Sequence, residues 1–241
     1  MTELFVPVDV EGCRQVLSHH AKSFRWAGAF LPRKQLDDAA IVYALCRLVD
    51  DIADERTSDA EALAQLEEIE QELTGGRDAR PLVALFLEVA QRAQVPVEAM
   101  LELIEGVRTD MYPVAMREDR DLLRYCYRVA GTVGLLMCGV IGVRASRALP
   151  FAVDLGVGMQ LTNICRDVAE DADRQRVYLP ATRLAAEGLT QGQLLIGARA
   201  PSAPVVRDLL ADADHYYQSA DNGMRFIPWR ARFAILVASH V

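Results

Sequence analysis

The chain has 241 residues, of which 51% are hydrophobic, 25% charged and 7% aromatic, and it carries a formal charge of −8. That length approaches the upper size for one hydrophobic core, and the apolar content excludes a disordered or low-complexity chain. The acidic balance makes it a poor non-specific binder of nucleic acid.

The N-terminal residues 1–15 hold no basic segment leading into a long apolar run. No secretory signal is read there, and a cytoplasmic location is expected. The cysteines are Cys13, Cys46, Cys126, Cys138 and Cys165. An odd count without a CxxC pair argues against a disulfide framework or a zinc knuckle, and for buried thiols in a reducing compartment. Apolar residues recur at spacings of three and four throughout, so the spacing predicts one all-α domain over residues 1–241. Helices are predicted to start near Val10, Pro32, Asp59, Arg80, Pro96, Asp119, Leu149, Pro180, Thr190 and Pro204, several at or just after proline. Residues 61–74 (EALAQLEEIEQELT) read as an acidic outer helix that Gly75-Gly76 ends. Residues 129–143 (VAGTVGLLMCGVIGV) are the longest apolar run. They fall short of the roughly 20 residues that span a bilayer, and predict a buried core helix. Residues 200–204 read as a short connector.

Two carboxylate clusters stand out. Asp50 and Asp54 are four apart, so a helix puts them on one face, with Asp51 beside them. The preceding residues 39–49 (AAIVYALCRLV) are mostly apolar, which places these acids at the end of a largely buried helix. Carboxylates there need a cationic partner, and Mg²⁺ prefers carboxylate oxygen. A solvated helix end with Arg47 as counter-charge fits the spacing equally well. Farther along, Asn163, Asp167 and Asp171 form a polar stripe at i, i+4 and i+8, which Gln160 extends upstream. Leu155, Met159, Leu161, Ile164 and Val168 are expected to bury the other faces. Two such stripes facing each other could hold several Mg²⁺ ions between them.

Metals held this way usually share an anion, often a phosphate. Lys22, Arg47, Arg166 and Arg176 are the nearby cations, and neither a P-loop nor a GxGxxG turn is present. Gly131, Gly134, Gly139 and Gly142 leave two readings open: close helix packing, or a helix stripped of side chains to make a long apolar cavity. An apolar cavity with metals at its mouth suits a prenyl diphosphate.

At these residues the sequence resembles the squalene/phytoene synthase family, the head-to-head prenyl synthases, over nearly the whole chain. Lys22-Ser23-Phe24, Leu31-Pro32, residues 43–47 (YALCR) and 50–54 (DDIAD) match its N-terminal signature. Residues 125–134 (YCYRVAGTVG) match its central motif; 160–171 (QLTNICRDVAED) and 176–180 (RVYLP) match its second aspartate motif. The resemblance implies an all-α isoprenoid-synthase (class I terpenoid synthase) bundle around a central apolar cavity. It implies that two prenyl diphosphates are joined through a cyclopropyl diphosphate. It implies Asp50, Asp54, Asn163, Asp167 and Asp171 as Mg²⁺ ligands, with Mn²⁺ as a substitute and Asp51 supporting. Lys22, Arg47, Gln160, Arg166 and Arg176 would contact diphosphate. Ser23, Phe24, Val129 and Gly134 would line the substrate site, and Tyr43, Tyr125 and Tyr178 would sit near the reacting carbons or the diphosphates. The family pattern continues past the last helix with a Tyr-containing segment and a further helix, so the domain is expected to be short at its C-terminus.

The chemistry agrees with these residue types. Ionising an allylic diphosphate needs positive charge at the leaving group, and the carbocation needs a dry site with aromatic faces. Tyr43 lies two turns before Asp50 on the same helix face. The central motif is most similar to phytoene synthases, which join two geranylgeranyl diphosphates without a reductant, so NADPH is not expected. Ala27-Gly28-Ala29 would leave room for a C20 chain if it lines the pocket floor. Farnesyl-diphosphate-using dehydrosqualene, presqualene diphosphate and squalene synthases share the motifs and form the alternative. Another class is a non-catalytic relative acting as an assembly factor; such relatives have lost the aspartates, which here are all present. A di-iron bundle would need Glu-x-x-His pairs, and none of His19, His20, His215 and His240 has one. The lipid product implies loose peripheral membrane contact; oligomeric state is not written in the sequence.

Overall fold

The computed structural model describes the backbone of residues 6–20, 31–54, 58–197 and 200–238, and side chains as far as residue 233, His20 excepted. Twelve α-helices follow in chain order within those residues. They are α1 (Val10–His20), α2 (Arg33–Asp54), α3 (Asp59–Thr74), α4 (Pro81–Ala93), α5 (Val97–Thr109) and α6 (Asp119–Cys126). Then come α7 (Thr132–Val140), α8 (Leu149–Asp173), α9 (Ala181–Ala186), α10 (Gln191–Leu195), α11 (Ala203–Gly223) and α12 (Trp229–Ala238). No β-strand forms among the described residues; one isolated parallel bridge pairs Ala115 with Val177.

Local chemistry sets the helix ends. The Glu61 N–H donates to the Ser58 hydroxyl at the start of α3, and Gly75 ends that helix at φ 80°. Pro81 opens α4. The Val143 N–H donates to the Cys138 carbonyl with Gly142 left-handed between them, at φ 79°. The apolar run is therefore helical only to Val140, short of the predicted 143, because Gly142 turns the chain. It is also not uniformly α: α6 and α7 join through a π-helical turn, Tyr127–Gly131.

Two cores form. One gathers α1–α5 and α7 around Leu45, Leu66, Ile69, Phe86, Met100 and Leu103. The other gathers α6 and α8–α11 around Leu122, Leu161, Ile164, Leu179 and Leu209. Val129, in the π turn, packs against both. The outer helix α3 buries Ala62, Leu66, Ile69 and Leu73, and Glu72 as well, which the Arg80 guanidinium and N–H both reach at 2.9 and 3.0 Å. Met159 departs from expectation: it is 53% exposed, whereas Leu161 and Ile164 are buried. Gly158, one residue earlier, packs on Ala213, Tyr216 and Tyr217 of α11, and Met159 lies about 100° round the helix from that contact.

The glycine question resolves as packing. A Cβ at Gly134 would lie 2.3 Å from the Ala152 carbonyl oxygen, and one at Gly156 would lie 2.3 Å from that of Ala130. Gly131 abuts Val153, and Gly139 abuts Val95. Helices α7 and α8 meet backbone to backbone, which the absence of side chains permits.

Candidate active site

Helix α2 is buried on almost every face from Asp38 to Ala53. The exceptions are Tyr43, Arg47, Asp50 and Asp51, all half-buried, followed by exposed Asp54. Tyr43, Arg47, Asp50 and Asp54 recur at helical spacing, so they form one accessible stripe on an otherwise enclosed helix. On α8, Gln160, Asn163, Asp167 and Asp171 form a second half-buried stripe, as the spacing predicts. Val129, Val133 and Met137 keep partial exposure along one face of the π turn and α7.

The end of α8 brings the stripes together. The Arg176 N–H donates to the Asp171 carbonyl, and Gln175 takes a left-handed φ of 61° between them. The chain doubles back, and the Val177 N–H donates to the Val114 carbonyl. This turn aims the largely buried Arg176 guanidinium at Asp54, with Nη1 at 3.3 Å from Oδ1. Arg176 thus spans from the second motif to the first, 122 residues away in sequence.

Charge is concentrated here. Burial pushes the Asp50 carboxyl up to about 7; Arg47 opposes that shift, and Asp54, Asp51 and Asp110 reinforce it. Burial, with Asp167 and Asp110, raises Asp171 to about 6, against Arg176. Tyr43 is raised by burial. The other carboxylates have arginine partners. Arg47 Nη2 lies 2.5 Å from Asp51 Oδ1, while Arg47 Nε is buried with no hydrogen-bond partner among the described residues. Arg166 grips its neighbour Asp167 with two bonds of 2.7 and 2.6 Å and is itself well exposed. Arg166 and Asp167 therefore stand at the rim, outside the buried knot.

Among the described residues no group of three carboxylates, imidazoles or thiols converges closely enough to cage an ion. The donor set nonetheless fits a hard cation: oxygen ligands on two facing stripes, with Asp50 and Asp171 carrying charge that burial disfavours. A hard cation held by such carboxylates would complete its coordination shell with water or with the oxygens of an anion.

The sequence reading missed Asp110, at the C-terminal cap of α5. Its two oxygens accept from two tyrosines: the Tyr125 hydroxyl donates to Oδ2 at 2.8 Å and the Tyr178 hydroxyl to Oδ1 at 2.7 Å. The tyrosine rings stack with centroids 4.8 Å apart and an interplanar angle of 26°. Burial raises all three groups, and Asp110 adds to the shift of both phenols. No acid lies within four residues of Asp110, so no local pattern marks it. Lys22, Ser23, Phe24 and residues 27–29 lie outside the described residues. Gly134 lies against the Ala152 backbone, which accounts for glycine there.

The five cysteines form no disulfide; Cys165 is half-buried and the others are buried. No helix among the described residues is long and apolar enough to cross a membrane.

Comparison with known proteins bears on this arrangement. The family model for squalene/phytoene synthase matches residues 17–241. A 15-cis-phytoene synthase from Enterobacter agglomerans is 36% identical over 233 residues, covering 92% of this chain and 79% of that protein. A phytoene synthase from Thermus thermophilus is 40% identical over 197 residues, covering 80% of this chain and 66% of that protein. Among solved structures, a dehydrosqualene synthase in complex with ligand superposes with a TM-score of 0.85 at 27% identity, covering 96% of this chain and 82% of that one. Squalene synthase HpnC from Alicyclobacillus acidocaldarius does so with a TM-score of 0.84 at 26% identity, covering 98% of this chain and 92% of that one. The fold is the all-α terpenoid synthase fold of those enzymes, and the chain belongs to the squalene/phytoene synthase family.

Proposed function

We propose that this chain joins two geranylgeranyl diphosphates head to head, through a cyclopropyl diphosphate, to give phytoene. The chain is a prenyltransferase of its family, and its curated relatives at 30–40% identity carry the name phytoene synthase. The observation that carries the mechanism is the meeting of two acidic stripes around Arg176. In this reading Asp50, Asp54, Asn163, Asp167 and Asp171 hold Mg²⁺. The metal supplies charge neutralisation to the departing diphosphate. Arg47, Gln160, Arg166, Arg176 and Lys22 bind diphosphate oxygens, which lowers the cost of separating charge in the C–O bond. Arg47 Nε, which lacks a described protein partner, is one such donor. Tyr43, Tyr125 and Tyr178 present ring faces to the carbocation. Half-buried Val129, Val133 and Met137 supply apolar wall, where water would otherwise quench the cation.

Loss of a proton from the rearranged cation closes the product double bond, so the reaction needs no NADPH. The substrate is C20 in this reading, and a C15 substrate is the competing choice. Cytoplasmic placement with loose membrane contact suits a lipid product. The test is a product assay with purified protein and Mg²⁺, offering C20 or C15 diphosphate with and without NADPH. A C40 triene from the C20 substrate alone is expected. A C30 hydrocarbon as the preferred product overturns the chain-length assignment, and no prenyl product from either substrate overturns the enzymatic reading.

A further inference from the structure

Asp110 lies at the centre of the site, yet its geometry is not that of a metal ligand. Each of its oxygens already accepts a hydrogen bond from a different tyrosine, at 2.8 and 2.7 Å. The two donors come from distant places in the chain: Tyr125 lies in the last turn of α6, and Tyr178 sits in the strap after α8. The bridge between Ala115 and Val177 fixes that strap beside the loop following Asp110. One carboxylate therefore ties three separate segments, and the stacked rings move as a pair.

The bonds have a chemical consequence. A phenol has one proton to give, and here both protons are given to Asp110. Neither hydroxyl can then donate to a diphosphate without breaking a charge-assisted bond, and both oxygen lone pairs are turned away from the carboxylate. Donation to a carboxylate also pulls electron density onto the phenol, which strengthens the negative face of each ring. That is the requirement for a ring that faces a carbocation.

We propose that Asp110 is a positioning residue for the rearrangement half of the reaction, holding Tyr125 and Tyr178 as one stacked, electron-rich pair beside the diphosphate site. The proposal rests on the function proposed above. Asp110 acts through the tyrosines and touches neither metal nor diphosphate. Ionising the first diphosphate, and later the diphosphate of the cyclopropyl intermediate, depends in this reading on the aspartate stripes and arginines. Converting the cyclopropyl diphosphate to hydrocarbon requires a migrating cation to be held, and there the rings matter.

The test compares Asp110→Asn, Tyr125→Phe, Tyr178→Phe, the double phenylalanine variant and the triple variant. Asn keeps the shape, but its amide nitrogen cannot accept a hydroxyl proton. Asp110→Asn is expected to lower kcat for the hydrocarbon about 10-fold to 100-fold with KM within about twofold, and to release cyclopropyl diphosphate that wild type consumes. In the double phenylalanine background the same substitution should change little, because its route of action is gone. Losses that multiply independently overturn the proposal. So does a rise in the Mg²⁺ concentration for half-activity, which would make Asp110 a metal ligand. If Asp110→Asn does not fold, the tyrosine variants decide alone: both should release cyclopropyl diphosphate, and unaltered product partition in both overturns the idea. The clamp is also read without substrate, by phenolate absorbance during an alkaline titration. Two phenols should ionise at a lower pH in Asp110→Asn than in wild type, and identical titrations overturn it. A wild type that makes no prenyl product refutes the proposed function, while this titration still decides the clamp.

Discussion

Substitution of Gly134 by alanine tests whether the glycines of α7 serve packing. The added methyl would stand 2.3 Å from the Ala152 carbonyl oxygen and 2.8 Å from its carbonyl carbon, against the 3.4 Å at which ordinary contact begins. Those atoms are backbone, so no rotamer change relieves the clash, and α7 and α8 must separate by about 1 Å. Overpacking of this kind costs about 3 kcal/mol at the upper end of its range. Alanine recovers about 1 kcal/mol of helix propensity over glycine. The net destabilisation is about 2 kcal/mol, or a fall in Tm of about 4–8 °C for a chain of this size. Gly192 of α10 provides the control, since its nearest neighbour atom is 4.0 Å away. Gly192→Ala should stabilise by a few tenths of a kcal/mol. Urea and thermal melts followed by far-ultraviolet circular dichroism read both. A Gly134→Ala protein as stable as wild type would refute the packing argument and reopen the cavity reading.

Three further predictions address the site and the thiols. In metal-free protein, the raised Asp50 and Asp171 carboxyls give stability that is fully present below their ordinary value near 3.8 and is lost as pH rises through about 7 and about 6. Tm should therefore fall between pH 5 and 8, less steeply in Asp50→Asn, and equal slopes for the two proteins would refute the burial argument. Asp54→Asn and Asp171→Asn should each lower kcat/KM by about 100-fold or more and raise the Mg²⁺ requirement, measured by hydrocarbon yield against metal concentration; an unchanged requirement would remove them as ligands. Burial raises Cys13, Cys138 and Cys165 to about 11, and Cys46 and Cys126 further, so all five thiols should react slowly with a disulfide reagent at pH 8 until urea unfolds the chain. Rapid labelling of folded protein would contradict that.

What could be read from the sequence follows from which determinants are local. Ser58, Gly75, Pro81, Pro180 and Thr190 act within one helical turn, so the helix ends they mark were legible. The π turn over Tyr127–Gly131 was not, because one extra residue in a continuous apolar run leaves the run's composition unchanged. The start of α12 at Trp229 was missed as well, since the only breaks after Pro204 are Gly223 and Pro228. The two acidic stripes were visible because each set of polar residues repeats along a single helix. Their convergence was not, because it depends on Gln175 adopting a left-handed turn that sequence normally reserves for glycine.

Asp110 marks the limit of such reading most sharply. Nothing within four residues of it pairs with it as a motif; its partners are 15 and 68 residues away, and they meet only because α5 ends where the strap after α8 returns. The resemblance could nominate Tyr125 and Tyr178 separately, each from its own motif. That they share one carboxylate is a property of the fold. It changes their chemistry, because a phenol already donating to a carboxylate is a poorer hydrogen-bond donor to diphosphate and a better electron source to a cation. In the proposed division of labour, the aspartate stripes and the arginines serve C–O bond breaking, and the Asp110–tyrosine unit guides the cation that is left. Arg176 is coupled to both groups, paired to Asp54 and lying in the field of Asp110 and Tyr178, so its substitution should impair both halves of the reaction where Asp110→Asn impairs one. A variant of Arg176 that released cyclopropyl diphosphate at an undiminished rate would break that division of labour.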